Sequence, residues 1–157
     1  MSTTTQDEIA AVKAVHAELS ERIAKLEAAT AEAPFFEYQA ERIALQAGEI
    51  YIGTIQTTGE YGSYHLILLP GDQDDTSWKR QMDWAASIGG ELPNRVESAL
   101  LFATRKSEFL EATYWCREEH ASASDYAWFQ GFSSGYQSYG SEASKLRARA
   151  VRRLVIE

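Results

Sequence analysis

Ile9, Val12, His16, Leu19, Ile23, Leu26 and Thr30 follow one another at alternate intervals of three and four residues, with mostly Glu, Lys, Arg and Ala between them. This is the a/d spacing of a coiled coil, and it predicts one helix from about Gln6 to Ala31. So narrow a seam needs a cover, which leaves two arrangements. The helix packs on its own globular domain, or it pairs with copies of itself as a homodimer or homotrimer. β-Branched Ile9 and Ile23 at a, with Leu19 and Leu26 at d, favour two strands. His16 at an a position weakens the seam, and either fixes its register or is merely tolerated there.

Beyond the helix the period changes. Pro34 ends the helix, because the residue before a proline disfavours the α region. The segment that follows carries Phe35, Phe36, Tyr38, Ile43 and Leu45, too apolar for a tether, and predicts an extended lead-in docked on the domain. EIYIGTIQ and YHLILLPG then read as two strands joined by the turn residues TGEYGS, a hairpin. Helical spacing returns in a segment that Asp75, Thr76 or Ser77 can cap, with Trp78, Met82, Ala85 and Ile88 as its inner face and Gly89-Gly90 as its stop. A second helix starts at Asn94, whose spacing to Glu97 is that of a capping box, and its expected apolar stripe is Val96, Ala99, Leu100 and Ala103. TYWCREE, DYAWFQGF and KLRARAVRRLVIE read as three further strands. Hairpin, two helices and then strands argue an α+β fold. The expected organisation is an oligomerisation helix at residues 1–33 and one domain at 34–157.

Composition narrows the chemistry. Of 157 residues 45% are hydrophobic and 11% aromatic, and the formal charge is −8. Nucleic-acid affinity rests on many Lys and Arg contacts, so no nucleic-acid partner is expected. No apolar run approaches the ~18 residues of a membrane span, and no signal peptide is expected from the N-terminal pattern. Cys116 is the single cysteine, which rules out an internal disulfide and a multi-thiolate zinc site. Placed beside aromatics in a strand, it reads as packing rather than as a nucleophile. His16, His65 and His120 form no catalytic spacing, and His65 reads as a satisfied sheet residue. No enzyme, cofactor or metal is expected. Glu91, Pro93 and Asn94 resemble the Glu-Pro-Asn triplet of calcium-dependent lectins, but Leu92 intervenes and Asn94 with Glu97 is explained as a helix cap; Gln73, Asp74 and Asp75 are explained by a helix N-terminus. Lys145, Arg147, Arg149, Arg152 and Arg153 form a basic cluster in which Arg147 and Arg149 share one side of a strand, expected to pair with Glu118, Glu119 or Asp125.

The candidate site is QGFSSGYQSYGSEASK, residues 130 to 145. Serine and glycine alone would make a flexible linker, but large rings in a Tyr/Ser/Gly background are the chemistry of contact loops. Trp128, Gln130, Phe132, Tyr136, Gln137 and Tyr139 are the expected binding residues, with Tyr136 and Tyr139 on a common side of an irregular loop.

Five words in order, TSWKRQMDWA, GGELPNRVES, YWCREE, AWFQGFSSG and KLRARAVRRL, resemble the domain of unknown function named for the C-terminal domain of the Lcl collagen-like adhesin. The chain departs from that pattern at Cys116, where serine is usual, and at Asn94, where threonine is usual. The resemblance implies a C-type-lectin-like fold, often trimeric, in bacterial and phage proteins; it does not imply sugar binding. The expected function is a non-enzymatic, oligomeric binding module that presents the loop to a protein or glycan, of the adhesin or receptor-binding type. The alternative is an intracellular phage or prophage accessory protein that binds and inhibits a host protein. Its expected location is the cytoplasm as synthesised, or the virion.

Overall fold

The computed structural model describes residues 2–29 and 42–156. It divides into two compact units, Met1–Arg42 and Ile43–Glu157. Among its described residues the first contains the helix α1 (Ser2–Ala29), close to the expected span. Its described side chains are all exposed, and Ile9, Val12, Leu19, Ile23 and Leu26 lie among them along one seam. The expected helix stop at Pro34, the lead-in with Phe35, Phe36 and Tyr38, and the 33/34 domain boundary lie outside the described residues.

The second unit is mixed α+β. Its elements are β1 (Ile50–Ile55), β2 (Tyr64–Leu68), β3 (Gln73–Thr76), α2 (Trp78–Ser87), α3 (Arg95–Arg105), β4 (Thr113–His120), β5 (Ala123–Gly131), β6 (Gln137–Ser141), β7 (Leu146–Ala148) and β8 (Val151–Val155). They form a three-stranded sheet, β1-β2-β8, and a five-stranded sheet, β3-β7-β4-β5-β6. The expected hairpin is present: β1 and β2 pair antiparallel from Ile50↔Leu68 to Ile55↔Tyr64. All other pairings are antiparallel except β4 with β7, which meet in parallel at Tyr114↔Arg147.

Two strand expectations need correction. KLRARAVRRLVIE is not one strand: the chain leaves the five-stranded sheet after Ala148 and enters the three-stranded sheet at Val151. The step is held by the Leu69 amide donating to the Ala150 carbonyl at 2.9 Å, and by a bridge between Glu91 and Val151. Small side chains at Ala148 and Ala150, both fully buried, let the backbone pass close beneath its neighbours. The acidic stretch before α2 is also more than a helix approach, since β3 pairs there with β7.

Period-two alternation assigns adjacent residues to different cores. Tyr114 joins Leu66, Leu68, Leu101, Phe109, Phe132 and Val151, whereas Trp115 joins Leu69, Trp78, Leu92, Ala127 and Ala148. Each large side chain so buried contributes about 1.5–3 kcal/mol of transfer free energy. α2 anchors the second core through Trp78, whose indole donates to the Cys116 carbonyl at 2.8 Å. Of its expected inner face Trp78 and Ala85 are buried, whereas Ile88 is exposed.

α3 begins as its sequence spacing predicts, with Asn94 accepting from the Glu97 amide at 2.8 Å and Glu97 accepting from the Asn94 amide at 2.7 Å. Its buried face, however, is Glu97, Ser98 and Leu101, and Val96 is 69% exposed. The expected stripe is thus rotated by about one residue. The reason is that Glu97 and Ser98 are buried with partners: Arg153 holds both Glu97 oxygens at 2.6 and 2.7 Å, Tyr64 donates to Glu97 at 2.7 Å, and Ser98 contacts the Cys116 sulfur at 3.3 Å. A polar residue fully satisfied by hydrogen bonds can occupy a core position that polarity alone would deny it.

Candidate functional site

Cys116, Glu118 and His120 on β4, Tyr126, Trp128 and Gln130 on β5, and Gln137 and Tyr139 on β6 share one face of the five-stranded sheet. The register pairs Trp128 with Tyr139 and Gln130 with Gln137. α3 covers this face over Cys116 and Gln130 and starts at Arg95, beside Trp128, beyond which the face is open. What remains is a cluster of four rings. Tyr139 lies 4.1 Å from His120, 5.3 Å from Trp128 and 6.2 Å from Tyr126, centroid to centroid, and His120 stacks on Trp128 at 5.5 Å. Tyr126 and Tyr139 are 41% and 47% exposed.

The cluster is braced from the helix side. The Arg95 guanidinium lies 3.6 Å from the Trp128 ring centroid. Gln137 donates to the Arg95 carbonyl at 2.6 Å and to the Gln130 side chain at 2.9 Å, and receives Arg95 Nε at 3.3 Å. Glu118 accepts the Arg95 amide on both oxygens at 3.0 Å, so the helix N-terminus already has its carboxylate. Trp128 is therefore held in one orientation.

The expected binding residues divide three ways. Trp128 and Tyr139 lie on the open face, with Gln137 as their brace. Gln130 and Phe132 are corrected to interior positions: Gln130 is fully buried, and Phe132, 1% exposed, stacks on Phe109 at 3.8 Å. Tyr136 is exposed but packs edge-on against Phe129, over Gly131, on the opposite face of the sheet from Tyr139. The expectation that these tyrosines share one side of an irregular loop fails because β6 is a strand and Tyr136 belongs to the turn before it. That turn needs Gly135, with φ +83° and the Phe102 ring where a Cβ would stand.

Sequence reasoning missed Arg95, His120 and Tyr126. Alternation along β4 and β5 carries the information for the last two, since it places 116, 118 and 120 with 126, 128 and 130. No local pattern points to Arg95, which reaches the face only because α3 packs there.

A cleft of about 410 Å³ opens on the other side of the first turn of α3, lined by Ile55, Tyr61, Tyr64, Val96, Arg117 and Glu118 among others. Glu118 lines this cleft and also accepts from Arg95, so only the start of the helix separates it from the ring cluster. Arg117 contacts the Tyr61 hydroxyl and Glu91, and the buried Tyr64 phenol is pushed up to about 12 by burial and by the neighbouring Glu97.

The basic cluster makes internal ion pairs, as expected in kind but with different partners. Arg147 pairs with Asp72 at 2.6 Å and Asp74 at 3.3 Å, Arg152 with Glu49 at 2.6 Å, and Arg153 with Glu91 and Glu97 at 2.6 Å each. Arg149 is buried and donates to the Leu69 and Glu108 carbonyls. Glu118 is instead engaged at α3. Cys116 is fully buried, and burial pushes its thiol up to about 12, so it holds no thiolate at neutral pH. Buried His65 shares Thr54 and Tyr51 hydroxyls at 2.9 and 3.2 Å. Among the described residues no group of three or more His, Cys, Asp or Glu is placed to hold a metal ion, and no helix is long and apolar enough to cross a membrane.

No protein-family model and no curated protein matches this chain. The likeness to the Lcl C-terminal-type domain therefore rests on the five sequence words alone.

Proposed function

We propose that the chain is a non-enzymatic binding module. Its sheet unit, a C-type-lectin-like domain of the Lcl C-terminal type, presents the face of Tyr126, Trp128, Tyr139 and His120 to a protein or glycan partner, and α1 joins copies. The observation that carries this reading is the half-exposed ring cluster with Trp128 already fixed by Arg95. Tyr and Trp supply large contact area with few torsions to freeze, so they dominate interface energetics and stack on sugar faces. A prefixed ring also loses less freedom on binding. Several copies on one stalk raise a weak single-site affinity through avidity.

The test is a double variant, Tyr126→Ala with Tyr139→Ala, compared with wild type on a glycan array and in partner capture from bacterial envelope and cytoplasmic fractions. Wild type is expected to retain a partner that the variant loses about tenfold or more, with both proteins melting at nearly the same temperature. Equal retention by the two proteins overturns the reading. A cytoplasmic host protein as the retained partner would favour the inhibitor of a host protein over the adhesin type.

A further inference from the structure

We infer that the cover for the α1 seam is a second copy of α1, aligned in parallel and in register as a two-stranded coiled coil. This deepens the reading above, on which it rests for the claim that α1 joins copies. The argument comes from the residues beside the seam. With Ile9, His16 and Ile23 at a and Val12, Leu19 and Leu26 at d, the flanking g positions are Glu8, Val15 and Arg22, and the e positions are Gln6, Lys13, Ser20 and Glu27. In a parallel pair each g residue faces the e residue five places on in the other chain. Glu8 then meets Lys13 and Arg22 meets Glu27, each occurring twice by symmetry, and the remaining contact, Val15 with Ser20, is neutral. Every charge at the flanks of these layers finds its opposite.

Other alignments lose this. Run antiparallel, with Ile9 opposite Leu26 and His16 opposite Leu19, e faces e and g faces g: Lys13 meets Ser20, Gln6 meets Glu27, Val15 meets Arg22 and Glu8 meets Ala29. A parallel slip of one heptad sets Glu8 against Ser20 or Gln6 and places His16 against an isoleucine. Of these three alignments only the in-register parallel pair forms opposite-charge contacts, and it sets His16 against its own copy, the arrangement in which a polar a residue fixes register. The surface agrees: a shallow groove on α1 is lined by Thr5, Glu8, Ile9, Val12 and Lys13, apolar side chains between the two charges that would be bridged. Ile9 and Val12 in that groove are 50% and 68% exposed. The ion pair of Lys25 with Glu21 at 3.0 Å lies at c and f, away from the seam. In this arrangement both chains continue toward their sheet units from the same end of the helix pair.

The experiment uses the full chain. Sedimentation equilibrium of wild type at micromolar concentration is expected to give a dimer. In a Cys116→Ser background, Val12→Cys is expected to form a disulfide with itself in a glutathione buffer, because parallel register places the two positions opposite one another. In the antiparallel pair the same positions stand about 16 Å apart along the axis, too far for a disulfide. Glu8→Lys alone and Lys13→Glu alone should each raise the dimer dissociation constant on the order of tenfold, and the double exchange should restore it. A monomeric wild type overturns the self-association on which the proposal rests. A dimer in which Val12→Cys chains join only to Ile23→Cys chains overturns the orientation and leaves the joined-copies reading standing. A trimer overturns the two-stranded assignment, and a double exchange that fails to restore affinity overturns the charge pairing.

Discussion

Strand β5 runs through two surroundings on a single face. At Gln130 and just beyond, at Phe132, the face is closed by α3 and the Phe109 ring; at Tyr126 and Trp128 it is open. The residues are similar in kind, large rings and amides in a Ser/Gly background, yet one half is core and the other is surface. The difference is set by where α3 begins. Its capping box at Asn94 and Glu97 fixes the first turn, and Arg95, one residue in, closes the boundary by lying on Trp128. Aromatic composition alone therefore does not mark a contact surface; the position of the covering element decides it.

Substitutions in the two halves should separate stability from binding. Phe132→Ala is expected to show the largest effect, a loss of about 3–5 kcal/mol read from the urea midpoint, since it removes a stacked ring from a closed core. Glu97→Ala tests what closes the face. It takes two of the three carboxylate contacts from the Arg153 guanidinium, 5% exposed, leaving it Glu91 alone, and releases the Tyr64 hydroxyl and the cap, for a cost also of about 3–5 kcal/mol. If either variant melts like wild type, the closed half is not the core described. Cys116→Ser keeps a partner in Ser98 and should cost only about 1 kcal/mol, with partner capture unchanged. Tyr139→Ala, in the open half, should change stability by less than about 1 kcal/mol while lowering capture. A Tyr139→Ala protein that loses several kcal/mol would erase the distinction between the halves.

Acid titration supplies a control remote from both. Arg152 holds the Glu49 carboxyl below the usual carboxylate range by its hydrogen bond, against the opposing effect of burial. The folded value is the lower one, so this pair's stabilisation is complete above about pH 4.3, the unfolded value, and is lost as pH falls through the folded value. Neither half of β5 touches Glu49, so Tyr139→Ala should retain the wild-type dependence of melting temperature on pH below 5. A changed slope would show that the open half is coupled to the other sheet.

What could be read from the sequence depended on the distance over which its cause acts. The α1 helix, the β1–β2 hairpin and the capping box of α3 are local patterns, and each is present. The buried face of α3 was misplaced because Glu97 and Ser98 become core residues only through Arg153, Tyr64 and Cys116, which lie far along the chain. The break between β7 and β8 carries no glycine or proline; Ala148 ends one sheet and Val151 enters the other, a step held by contacts with Leu69 and Glu91 far along the chain. Trp128 and Tyr139, chosen for ring chemistry, lie on the open face, and the same chemistry included Phe132, which is buried, since composition says nothing of where α3 begins. His120 was within reach of alternation, and Arg95 was not.

The passage of residues 146 to 155 from one sheet to the other has a consequence for how the unit is made. β7 sits between β3 and β4, and β8 forms the free side of the hairpin sheet, so each sheet is incomplete without this segment. Its arginines close on Asp72, Glu49 and Glu97, made 75, 103 and 56 residues earlier. A ribosome that has extruded everything through β6 has released α1, a hairpin, α2 and α3, and the three strands β4-β5-β6, whose shared cores are still open. Folding must wait for the final ten residues of this unit and then close both sheets together, a late and non-local step that slows folding and leaves apolar surface bare until synthesis passes Val155.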